Sequence, residues 1–458
     1  MPQATALIDG NNFYASCEQS LDPALIGHPV VVLSNNDGCI VARSAEARAL
    51  GIRMGTPYFK ARQELERNNV VVRSSNYALY ADMSQRMMSL LEAHCEELEV
   101  YSIDEAFGRI RRPSHGDLQG WAQQLRARVR QNLGIPIAIG LGASKGQAKL
   151  ANRLAKQTPD HAGIFDLGQC DNPDRWLETV AIEDVWGIGR QLAHWCRLRG
   201  ISNARRLRDM PSGELRAKCG VVGVRLQREL RGHACLPLDL APAPKQETCV
   251  SRSFSRPITS QEELHQAITT YVVRAAEKLR KQRQRAAALT VYTRTSPFAP
   301  GFYSQAASTQ LDLPSNDTAV LLQAARPLVE RIFRPHRPLA KAGVLMQHLQ
   351  SQEILQTHLM VPMSEEQQQK RECLMQTIDR INRRYGRGTL QWAGCGLQPS
   401  WLMRRGQLSR AATTRLQDVV ALKVLHQHAG LGQWTVGAED PCHQGACRLQ
   451  QHSCVIAR

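Results

Sequence analysis

Two apolar runs in this chain carry acids where a β-strand would bury its side chains. "TALID" ends in Asp9, and "YSIDEAF" sets Asp104 beside Glu105. Burying an ionised carboxylate is costly unless something neutralises it, so any fold that keeps both runs as strands must supply a counter-charge. Adjacent strands of one sheet could aim all three carboxylates at one point. Oxygen-only ligands suit a hard cation, Mg²⁺ or Mn²⁺, better than zinc. Mg²⁺ takes its remaining ligands from water and substrate phosphates, so such a cluster points to phosphoryl chemistry. Consecutive residues of a regular strand face opposite sides, so Asp104 and Glu105 share a metal only if the chain turns or bulges there. The same spacing also fits a capping Asp9 and an ion-paired turn at Asp104-Glu105.

Strand and helix signals alternate through the first 165 residues. "TALID", "PVVVLS", "CIVARS", "VVVRSS", residues 99–110 and "IPIAIGLGAS" read as strands. "NNFYASCEQSL", "AEARALG", the stripe Leu79, Met83, Met87, Leu90 and Leu91, Trp121 to Leu133, and "KGQAKLANRLAKQ" read as helices. This is an α+β pattern of strands covered by helices. From Trp186 the texture changes to short helices, and residues 187–232 hold 11 Lys+Arg against 3 Asp+Glu. "LPLDLAPAPK", residues 236–245, is a linker candidate. A third unit begins near Cys249 and ends near Leu349. It includes a basic helix read through "YVVRAAEKLRKQRQR" and a strand at "AALTVYTRT".

The net charge is +17, yet residues 1–110 hold 9 Lys+Arg against 14 Asp+Glu. An acidic head on a basic body suggests a polyanion gripped by the later domains. No run approaches the ~18 apolar residues of a membrane span, and "MPQATALIDG" lacks the regions of a signal peptide. The cysteines, among them Cys17, Cys39, Cys95 and Cys196, are scattered through apolar surroundings. A cytoplasmic protein with reduced thiols is the expectation.

"IDGNNFYASCE", "PVVVLSNNDGCIVARSAEARALGIRMG", "SSNYALYADMS" and "YSIDEAF" together resemble the Y-family DNA polymerases, in their UmuC branch. The resemblance runs along most of residues 5–345 and more weakly to about 415. It implies an α+β right-hand polymerase with a ferredoxin-like palm and small fingers over 1–180. A helix–hairpin–helix thumb over 181–240 and an α/β little finger over 241–349 would follow. A clamp-motif linker and UmuC-type segment would fill 350–415, with an atypical, disordered tail over 416–458. The activity implied is error-prone translesion synthesis in the SOS response to DNA damage, by two-metal-ion nucleotidyl transfer. Asp9, Asp104 and Glu105, with the Gly10 carbonyl, would hold two Mg²⁺ ions, for which Mn²⁺ could substitute.

Further roles follow from the same resemblance. Tyr14 matches the steric gate against a ribose hydroxyl, while Arg48 and Lys156 match cations on the triphosphate. Ala45 stands where many relatives outside this branch place a phosphate-contacting tyrosine. Gly187, Gly189 and Arg190 match a DNA-binding hairpin, which would grip the backbone without reading sequence. Gln356, Leu359 and Met360 match a sliding-clamp motif, degenerate because Leu359-Met360 replaces Leu-Phe. Primer–template DNA, deoxynucleotides, a UmuD′ homodimer and the RecA filament are the other implied partners, in a nucleoid-associated setting. Beyond Arg415 the resemblance fails, and the spacing of Cys442, His443, Cys447, His452 and Cys454 is no standard zinc ladder. A nucleotidyl cyclase and a DNA-binding scaffold with a dead palm are the alternatives. The basic later domains argue against the first, and the intact acids against the second.

Overall fold

The computed structural model describes residues 3–111, 118–158, 161–352, 365–397, 399–413 and 418. The chain opens with β1 (Gln3–Gly10), α1 (Phe13–Leu21), β2 (Val30–Leu33), β3 (Ile40–Arg43), α2 (Ala45–Ala49), α3 (Tyr58–Arg67) and β4 (Val71–Ser74). It continues with α4 (Tyr77–Glu92), β5 (Glu97–Val100), β6 (Glu105–Arg111), α5 (Leu118–Leu133), β7 (Ile137–Gly142), α6 (Lys145–Gln157) and β8 (Ile164–Asp166). Four helices follow: α7 (Pro173–Thr179), α8 (Arg190–Arg197), α9 (Ala204–Asp209) and α10 (Ser212–Leu230). The last part holds β9 (Thr248–Ile258), α11 (Gln261–Lys281), β10 (Gln284–Thr295), β11 (Ser304–Ser315), α12 (Thr318–Ile332), β12 (Leu339–Ser351) and α13 (Glu365–Tyr385). Among the described residues, no helix is long and apolar enough to cross a membrane, and every cysteine is free.

Three sheets result, in the orders β5-β6-β1-β7-β8, β3-β2-β4 and β11-β10-β12-β9. β1 sits in the middle of the first, antiparallel to β6 and β7, and is buried on both faces. That explains its near-continuous apolar sequence. The register sets Asp9 directly opposite Glu105. The strand expected over 99–110 is two strands, β5 and β6, joined by a tight turn over residues 101–104. Tyr101 and Ser102 both donate their backbone N–H to the Glu105 carbonyl, which closes the turn. The turn takes Asp104 out of the strand that Glu105 opens.

Helix α6 lies across this sheet with Ala148, Leu150, Ala151, Leu154 and Ala155 buried against it. Asn152 ties it down, donating from Nδ2 to the Leu7 and Ala138 carbonyls at 3.2 and 2.9 Å. Contact is so close that a Cβ at Gly140 would clash with Asn152 N and Ala148 O. Backbone atoms cannot swing aside, so Gly140→Ala is expected to destabilise the protein by about 1–3 kcal/mol, the usual cost of overpacking. Urea unfolding would measure it.

Two sequence expectations change here. The Pro-rich segment 236–245, read as a linker, is pinned: Lys145 Nζ donates to the Pro237 carbonyl and the Asp239 N–H to Glu99, at 2.7 and 2.8 Å. The basic helix read to Arg285 ends at Lys281; Arg283 takes a left-handed φ of 52° and Arg285 belongs to β10. Three of its arginines are paired within the molecule. Arg280 grips Asp379 of α13 with two bonds of 2.7 Å, Arg285 meets Glu372 at 2.8 Å, and Arg274 pairs with Glu277. That stretch anchors α13.

Candidate active site

Asp9 closes β1 and Glu105 opens β6, so the antiparallel register alone places the two acids side by side. The counter-charges come from α6. Lys156 Nζ lies 2.6 Å from Asp9 Oδ1, and Lys149 Nζ lies 2.6 Å from Glu105 Oε2. Asp9 is only 7% exposed. Burial pushes its carboxyl up to about 7, outweighing the pull of Lys156. At Glu105 burial acts upward too, but hydrogen bonds from Asp9 and Lys149 and the charges of Lys149 and Lys156 hold it below the ordinary range. Of the two acids, Asp9 is the one that holds a proton to the higher pH.

Asp104 stands apart. It lies in the turn, where its Oδ1 accepts from Ser102 Oγ at 2.6 Å and its carbonyl accepts from the Gly10 N–H at 2.8 Å. Its charge is felt by Tyr14 and Cys17, both on α1. Among the described residues, no three His, Cys, Asp or Glu side chains stand in a metal-holding group. The site therefore pairs Asp9 with Glu105 and leaves Asp104 turned to a second side. Asp9 and Glu105, opposite each other in the register, offer only oxygen donors, the kind a hard divalent ion takes.

Asp9, Glu105, Arg48, Lys149, Arg153 and Lys156 line one cavity of about 450 Å³. Arg48 reaches it from the exposed face of α2, with no acid partner among the described residues. Arg153 pairs with Asp184. Lys149 and Arg153 were legible as a pattern, because Lys149, Arg153 and Lys156 recur at helical spacing on one face of α6. Only Lys156 had been singled out from the sequence.

Tyr14 stands outside the lining of this cavity. Its ring stacks on Tyr80 with centroids 4.4 Å apart and planes 15° from parallel, and Tyr77 meets it edge-on at 6.2 Å. Tyr80 in turn donates to the buried Glu18 at 2.7 Å. The ring is thus clamped in place. Gly187 has φ +86°, a conformation that favours glycine, and Gly189 precedes the first turn of α8, which starts at the exposed Arg190. No side chain caps that turn. Gln356, Leu359 and Met360 lie outside the described residues, as do 419–458. A larger cavity of about 1990 Å³ lies between α11, β11 and α13, away from these acids.

Residues 8–153 match the impB/mucB/samB family and residues 245–359 its C-terminal domain. Residues 372–421 match a domain of unknown function (DUF4113). Protein UmuC of Salmonella typhimurium is 40% identical over 422 residues, covering 91% of this chain and 100% of that protein. Protein MucB of Escherichia coli is 38% identical, over 90% of this chain and 98% of its own. DNA polymerase IV of Corynebacterium diphtheriae is 31% identical over 59% of each. Among solved structures, a Y-family polymerase chimera of Dbh and Dpo4 shares the fold, with a TM-score of 0.58 at 20% identity, over 76% of this chain and 99% of that one.

Proposed function

This chain belongs to the impB/mucB/samB family, the UmuC-type Y-family DNA polymerases, and we propose that it performs error-prone translesion synthesis by two-metal-ion nucleotidyl transfer. It is a DNA-directed DNA polymerase of the right-hand kind. The observation that carries the mechanism is the Asp9–Glu105 pair, set opposite each other by register and faced by a row of cations on α6. In this reading residues 1–180 are palm and fingers, 181–240 the thumb, 241–349 the little finger and 350–415 the clamp-motif and C-terminal segments.

Asp9, Glu105 and Asp104, with the Gly10 carbonyl, would hold two divalent ions, Mg²⁺ or Mn²⁺. When bound, these ions lower the pKa of the primer 3′-hydroxyl and stabilise the leaving pyrophosphate. Asp104 would reach such an ion once free of its bond to Ser102, and a cation there would favour the ionised form of Asp9. Lys149 and Lys156 would then be available to the triphosphate, where Arg48 would supply a bidentate grip. Trp186 and Leu226 add apolar surface to the lining of the cavity.

Tyr14 is the sugar gate in this account, and the Tyr77–Tyr80 clamp gives it the stiffness a steric filter needs. Tyr14→Ala is expected to relax discrimination against ribonucleotides by about 10–200-fold, the range one pocket contact commands. Competitive single-nucleotide incorporation with dATP and ATP measures it directly. The exposed start of α8 at Gly189 and Arg190 would hold a DNA phosphate.

The UmuD′ homodimer, the RecA filament and a sliding clamp are the proposed partners, in the cytoplasm on the nucleoid. Primer extension on an abasic template, with Mg²⁺, UmuD′ and activated RecA supplied, tests the translesion reading. Extension past the lesion supports it. Extension on undamaged template alone would leave a polymerase without bypass, and DNA binding without extension on either would make the chain an assembly scaffold.

A further inference from the structure

Residues 399–409, within the stretch matched by the domain of unknown function, touch two bodies at once. At one end Trp401 is buried in the core of the four-stranded sheet, edge-on to Phe254 and Tyr271 at 6.0 and 6.1 Å. The Ser255 N–H donates to the Trp401 carbonyl at 3.2 Å, and Ser255 Oγ to the Ser400 carbonyl at 3.1 Å. A few residues on, the chain lies against the fingers and palm. Arg404 and Gly406 donate their N–H groups to Asn36 Oδ1 and Asp37 Oδ2, at 3.0 and 2.8 Å. Gln407 and Ser74 exchange bonds of 2.9 Å, and Leu408 runs parallel to Ser74 as a short bridge off the end of β4. Ser409 Oγ then reaches the buried Glu18 at 3.1 Å and accepts from Asn76 at 3.0 Å.

We infer that residues 399–409 are a clasp that fixes the little finger on the fingers and palm before nucleic acid arrives; the domain names and the nucleic acid rest on the reading above. The loop that receives the clasp is shaped for it. Asn36 and Asp37 both adopt left-handed backbone, with φ of 61° and 52°, a conformation these residue types tolerate best after glycine. Asn36 also donates to the carbonyls of Ser253 and Phe254 in β9, both at 3.1 Å, so one side chain bonds the clasp and the little finger together. At the far end, Ser409 is one of the donors satisfying the Glu18 carboxylate, which is 3% exposed. Losing it would leave a buried acid short of a partner. A domain held in place beforehand loses less freedom on binding DNA, and so binds more tightly than one that must be ordered.

Hydrogen exchange on the full chain tests this, using wild type, Trp401→Ala, and an Asn36→Gly/Asp37→Gly double variant that keeps the left-handed loop while deleting its side chains. Both variants are expected to exchange the amides of Ser74 and residues 404–409 about tenfold faster or more, since these bonds depend on docking alone. The Kd for primer–template DNA, read by fluorescence anisotropy, should rise about tenfold, as expected when ordering must accompany binding. Unchanged protection at Ser74 in both variants overturns the clasp. Lost protection with an unchanged or lower Kd overturns its placing role. If Trp401→Ala also exposes β10, where Leu289 and Val291 are fully buried, the double variant decides alone. Neither readout needs catalysis, so a wild type that binds DNA but extends no primer fails the polymerase reading and leaves the clasp standing. If no primer–template DNA is bound, exchange alone decides.

Discussion

Asp9→Asn is expected to lower nucleotide addition by roughly 10²–10³-fold, the scale lost when one group that stabilises transition-state charge is removed, while the fold at pH 8 becomes no less stable. The two halves of this result have one cause. Asp9 is buried, and burial raises its pKa to about 7 despite the lysine beside it, so ionising it works against the folded state. An amide of the same shape removes that penalty and with it the charge that would hold a cation. Single-turnover primer extension and thermal unfolding, run on the same preparation, check both halves. Equal losses of stability and activity would mean that the acid is structural.

The second large effect is on stability against pH in metal-free protein. Asp9 has a folded pKa of about 7 against an ordinary 3.8. Its stabilising contribution is fully present below about 3.8 and is lost as pH rises through about 7. Glu105 acts in the opposite sense: its folded pKa is lowered, so its contribution is present above its ordinary value of 4.5 and is lost as pH falls. Wild type minus Asp9→Asn isolates the first of these. That difference in Tm should move against wild type as pH rises from 4 to 7, and a divalent cation at pH 7 should restore it. A flat difference would contradict the assigned burial penalty.

Much of this was legible because the strands of the first sheet are buried on both faces. "TALID" and "IPIAIGLGAS" read as continuous apolar runs, and acids inside such runs announce a site. The requirement for a turn at Asp104-Glu105 also followed from strand geometry alone, and the turn is there. What sequence could not supply was partnership between distant residues. Nothing local reveals that Asp104 acts on Tyr14, or that Lys149 and Lys156 of α6 sit against Glu105 and Asp9. The same limit hid the partners of the basic stretch after Tyr271: the acids that meet Arg280 and Arg285, Asp379 and Glu372, lie nearly a hundred residues on along α13. Nor does any local signal at Asn36 and Asp37 tell that a segment over 360 residues away docks on them.

The account rests on template-directed nucleotide addition at the Asp9–Glu105 pair, and one measurement meets it most directly. Four primer–templates differing only in the first unpaired template base would each be offered four deoxynucleotides singly, with Mg²⁺, using wild type and Asp9→Asn. The predicted result is preferential addition of the complementary nucleotide in each of the four cases by wild type, and almost none by the variant. Addition that ignores the template base, or that survives in Asp9→Asn at the wild-type rate, would contradict it.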